Sequence, residues 1–61
     1  MGVKERVEEV VTQALGENKM ARVHKVKMAL RDQGFEVVGT DIRPVLEALG
    51  FGVGENFVWV R

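Results

Sequence analysis

Cysteine, serine and tyrosine are absent from this chain, and proline occurs once, at Pro44. Without cysteine there is no disulfide framework and no thiolate metal site, so packed side chains alone must hold the fold. Thr12 and Thr40 are the only side-chain alcohols, and no nucleophile with an adjacent base is evident. His24 is the single histidine; one imidazole does not make a metal site, and it reads as a surface residue on a basic helix face. The Glu8-Glu9 pair falls on the outer side of a predicted helix, where solvation is its ordinary role. The expectation is a protein with no catalytic residue, cofactor, metal or small-molecule substrate. Long apolar runs are missing too. The longest, Phe57-Val58-Trp59-Val60, falls far short of the roughly 20 residues of a membrane helix, and no charged leader precedes an apolar stretch. The reading is a cytoplasmic chain with no membrane partner.

What is present is one small core. A chain of 61 residues hides only about 60% of its unfolded surface, so residues 1–61 are expected to form a single domain. Nine basic and nine acidic side chains cancel, yet they are unevenly placed. Residues 19–31 carry Lys19, Arg22, Lys25, Lys27 and Arg31 with no acid among them, whereas the segments on either side are net acidic. A neutral chain can therefore own a positive face.

Val3, Val7, Val10, Val11 and Ala14 recur at helical spacing and predict a first helix over 3–15, ended by Gly16. Gly16-Glu17-Asn18 is turn chemistry. A second helix is expected over 21–33, with Val23, Val26 and Leu30 inward, His24, Lys25, Met28, Arg31 and Asp32 outward, and Lys27 and Arg22 laying their stems over the core margin. Gly34 stops it and Phe35 folds back on Leu30. The third helix, over 40–49, is expected to start with Thr40 as N-cap and Asp41 in its first turn. Pro44 then lies early in that helix, its buried face is Ile42, Val45, Leu46 and Leu49, and Gly50-Phe51 repeats the stop.

After Gly50 the period changes to that of a hairpin, Phe51-Gly52-Val53 and Phe57-Val58-Trp59-Val60 around a turn. Its register decides which side chains share a face. A two-residue turn at Glu55-Asn56 pairs Val53 with Val58 and leaves Phe57 and Trp59 outside, with Trp59 over Gly52. A three-residue turn with Asn56 left-handed buries Phe51, Val53, Phe57 and Trp59 together. The second is the expectation, because it hides the two largest side chains.

This element order is that of an α+β winged helix-turn-helix domain, three helices with a C-terminal β-hairpin. Gly34-Phe35-Glu36-Val37, the lead into Thr40-Asp41-Ile42, and then Leu46 and Leu49 resemble the N-terminal DNA-binding domain of arginine repressors, over about Val23 to Val60. The resemblance implies double-stranded DNA as partner and a role in regulating transcription or replication. That family presents a Ser-Arg pair to DNA where Arg43 and Pro44 stand here, so only Arg43 keeps a donor.

On that reading Lys19, Arg22 and Lys25 hold phosphates, Gly39 and Thr40 offer amide and hydroxyl donors, Arg43 reads a base or pairs with Glu47, and Asn56 reaches a groove from the wing. Met28 and Arg31 form a partner contact. The competing reading is a protein-interaction winged helix, supported by neutrality, Glu47, Glu55 and exposed Met28, and strengthened if Phe57 and Trp59 are exposed. A homodimer, doubling the basic face, is a third.

Overall fold

In a computed structural model that describes residues 2–61, the elements run α1 (Val3–Leu15), β1 (Met20–Arg22), α2 (Val23–Asp32), α3 (Arg43–Ala48), β2 (Phe51–Val53) and β3 (Phe57–Val60). The described chain is a small α+β domain of three helices and one antiparallel sheet in the order β1-β3-β2. None of these helices is long and apolar enough to cross a membrane.

The first helix has the bounds its periodicity predicts, although Leu15 is buried and Val3 lies in solvent. Gly16 is left-handed, and so is Lys19 (φ 56°), whose amide donates to the Gly16 carbonyl. Lys19, rather than Asn18, is the second residue of this turn to leave the usual region. The tight reversal delivers the chain into β1, a strand that the sequence reading folded into the second helix. That helix therefore begins at Val23, and its first amide donates to the Asn56 carbonyl at 2.8 Å.

The C-terminus of α2 forms as expected. Gly34 is left-handed, its amide bonds the Arg31 carbonyl, and the Phe35 amide reaches back to Leu30. This is a Schellman stop, and Phe35 packs half-buried against the core.

The third helix differs from its prediction at the start. Thr40 is not its N-cap: the Thr40 amide closes a turn on Val37 around left-handed Gly39. The capping contact comes from Asp41, whose Oδ1 accepts the Arg43 amide at 3.1 Å. Pro44 is the second helical residue, where its missing amide costs little. Ile42 and Leu46 are buried and Leu49 half-buried, but Val45 is exposed.

The hairpin takes the two-residue turn, with Phe51 opposite Val60, Gly52 opposite Trp59 and Val53 opposite Val58. The expected three-residue turn is excluded because Asn56 is not left-handed. The cause is β1. Pairing Ala21 with Val58, and donating Val23 N–H to Asn56 and Val60 N–H to Lys19, pins β3 on its other side. Val58, fully buried between Ala21 and Val53, fills the sheet's share of a core that also holds Val10, Val11, Leu15, Val26, Leu30, Ile42, Leu46 and Phe51. Phe57 and Trp59 then face away from that core by strand alternation, and both are exposed.

Candidate nucleic-acid interface

The polar chemistry of the domain gathers where α2, the start of α3 and the hairpin turn meet. Val23, His24 and Lys27 of α2, residues 40–43, and Glu55-Asn56 line an open cleft of about 300 Å³. Residues separated by up to 33 positions in sequence arrive here because Asn56 is hydrogen-bonded to the first amide of α2. That single bond ties the hairpin turn to the helix.

Arg43 braces the cleft from below. Its Nε and Nη2 donate to the two carboxylate oxygens of Asp41, each at 2.9 Å, and Nη1 reaches the Glu55 carbonyl at 3.4 Å. The bidentate geometry fixes both partners. The Arg43 side-chain hydrogen bond, together with the backbone Arg43 amide, holds the Asp41 carboxyl well below its ordinary range, at about 2, and the nearby Lys27 charge acts in the same direction. Asp41 in turn raises the guanidinium pKa. The expected pairing of Arg43 with Glu47 is not made. An Arg N-terminal to a Glu at this spacing is the weaker order on a helix, and Asp41 offers two hydrogen bonds to the side chain and one to the backbone.

Beside the cleft, across His24 and Lys27, runs a smaller groove of about 210 Å³ between α2 and the 37–39 loop. Lys27, Met28 and Arg31 form one wall and Val37, Val38 and Gly39 the other. No acid lines this groove. Met28 and Val38 are both exposed, so an apolar strip lies alongside the two cations.

The residues singled out from the sequence divide accordingly. Thr40, Arg43 and Asn56 meet in the cleft, and Gly39, Met28 and Arg31 in the groove. Lys19 and Arg22 instead belong to the sheet side: Lys19 precedes β1, and Arg22 pairs with Phe57 and holds its guanidinium 5.4 Å from that ring's centroid. Lys25, exposed on α2, lines neither hollow. The sequence reading missed His24 and Lys27, which line both. Their i, i+3 spacing on one helix face was the available signal.

No protein family, no curated protein and no solved structure matches this chain.

Proposed function

We propose that this chain is a winged helix-turn-helix domain that binds double-stranded DNA, chiefly through phosphates, as a small regulator of transcription or replication. The observation that carries the reading is the convergence of α2, the start of α3 and the hairpin turn on one open, polar cleft, the three elements with which winged helices approach a duplex. The helix order with an intervening short strand and the β1-β3-β2 sheet support the same fold.

The residues set the mode. Lys27 and Arg31, with His24 one turn before Lys27 on the same helix face, supply the anion-binding flank, and the Thr40 hydroxyl and Asn56 amide supply neutral donors. Arg43 acts as a positioning residue, since its pair with Asp41 cancels its charge and its bond to Glu55 steadies the hairpin turn. The rest of the solvent face of α3, Pro44, Val45, Glu47 and Ala48, offers no donor to a base edge. Binding of this kind depends steeply on salt and only weakly on sequence. A titration against random-sequence duplex DNA at two salt concentrations tests it. Two or three phosphate contacts give a log–log slope of about −2 to −3, and a slope of zero, or no binding, overturns the reading.

One observation favours a second reading. The apolar strip of Met28 and Val38 beside Lys27 and Arg31 suits an acidic protein segment with an apolar side chain, and a chain that ignores duplex DNA would be assigned to that class.

A further inference from the structure

The sheet has a second face that the cleft does not use. Strand alternation points Met20, Arg22, Gly52, Phe57 and Trp59 away from the core; Met20, Phe57 and Trp59 are 47%, 37% and 38% exposed. Trp59 lies along β2. A side-chain carbon added at Gly52 would strike the indole at Nε1, Cε2 and Cδ1, and one added at Gly54 would meet Cζ3 at 3.2 Å and Cη2 at 3.4 Å. The two glycines therefore form a rail on which both ends of the ring rest, while Trp59 remains exposed. Glycine weakens a strand and often marks close approach; here it beds an aromatic ring flat.

No acid occurs in any of the three strands. Arg22 sits over Phe57, Lys19 precedes β1, and Arg61, two residues beyond Trp59, follows β3. A purely apolar partner would need none of these charges. A flat ring bedded on glycine, with the Arg22 guanidinium on the same face and no carboxylate on the strands, complements a ligand that is flat and anionic at once.

We propose that this face is a stacking platform for the bases of single-stranded nucleic acid, with Trp59 carrying a base and Arg22, with Arg61 at the end of β3, meeting the backbone phosphates. Stacking of this kind tolerates any sequence, since every base has a π-face. The proposal stands apart from the duplex reading, which uses neither Trp59 nor Arg22.

The test is a titration of the intact protein with a dye-labelled oligothymidylate, followed by anisotropy, with the emission of Trp59, the sole tryptophan, as a second readout. Saturable binding with quenching of Trp59 is expected. Trp59→Ala should weaken it about tenfold or more, as loss of one stacked base does, and Trp59→Phe should restore part of the loss. Arg22→Gln, which leaves the indole and its glycine rail in place, should weaken binding and reduce its salt dependence. The idea is overturned if the oligonucleotide does not bind, if it binds Trp59→Ala as tightly as the wild type, or if Trp59 responds only to an apolar peptide, which would make the face a protein-docking surface. The duplex titration of Trp59→Ala separates the two proposals, because its salt slope should be that of the wild type whichever way the oligothymidylate result falls.

Discussion

The helix cleft and the outer face of the sheet present opposite chemistry from the same hairpin. In the cleft, Glu55 and Asn56 of the turn are used through their backbone carbonyls, one to Arg43 and one to Val23. On the sheet, Phe57 and Trp59 are used through their rings, one under Arg22 and one over the glycines. Charge in the cleft is largely internally balanced, with Arg43 committed to Asp41, whereas the cations around the sheet have no carboxylate on the strands beside them. The contrast teaches that a basic segment of sequence need not make one basic surface. Lys19 and Arg22 go to the sheet and Lys27 and Arg31 to the helix side, because β1 ends where α2 begins.

The largest effect expected comes from the glycine rail. Gly52→Val must displace the indole, and overpacking of this sort costs about 1–3 kcal/mol. Chemical denaturation should show the loss, with Trp59 emission moving to the red. An unchanged stability and spectrum would mean that the ring does not rest on Gly52.

Next in size is the division between the two sets of cations. Lys27→Gln with Arg31→Gln should weaken duplex binding about tenfold and reduce the salt slope by about 2, while Lys25→Gln with Arg22→Gln leaves the slope nearly unchanged. Stability should move by no more than about 0.5 kcal/mol in the Lys25 and Arg22 pair, as exposed substitutions usually do. Equal effects of the two pairs would erase the distinction between the faces.

Arg43→Ala comes third. Exposed ion pairs are worth about 0–1 kcal/mol, so the fold should survive with a looser hairpin turn. Duplex affinity should fall alike on every sequence. A selective loss of about 1–3 kcal/mol on one sequence would instead make Arg43 a base reader.

The smallest effect is acid titration. Because the folded Asp41 carboxyl sits at about 2, against 3.8 for the ordinary group, its contribution to stability is complete above the ordinary value and is lost as pH falls through about 2. NMR titration of that carboxyl should give the low midpoint in the wild type and a return toward 3.8 in Arg43→Ala.

Local signals were legible and distant ones were not. Gly34 and Phe35 announce a helix stop through residues three to five apart, and that stop forms, with the Gly34 amide on Arg31 and the Phe35 amide on Leu30. Strand β1 is three residues long and has no period of its own; Met20, Ala21 and Arg22 are a strand because β3 lies beside them. The hairpin register then follows from β1, which no inspection of residues 51–60 alone supplies, and so burying Trp59 looked better than bedding it on Gly52. The sequence places the start of α3 at residue 40, whereas the helix begins at Arg43 with Ile42 as its N-cap; Thr40 and Asp41 both offer capping chemistry, and the turn that closes Thr40 onto Val37 leaves Asp41 to accept the Arg43 amide. At the cleft, Thr40, Arg43 and Asn56 were recognisable, but His24 and Lys27 were hidden by the ordinary readings of a surface imidazole and a lysine stem over the core.

Backbone amide shifts on an isotope-labelled sample, recorded with duplex DNA and separately with oligothymidylate, test the two-faced account most directly. Duplex should move the amides of His24, Lys27, Arg31, Gly39, Thr40 and Asn56 and leave the Trp59 indole signal in place. Oligothymidylate should move the Trp59 indole with Met20, Arg22 and Phe57 and leave the helix side unchanged. One common set of shifted amides for both ligands, or shifts confined to neither face, would contradict it.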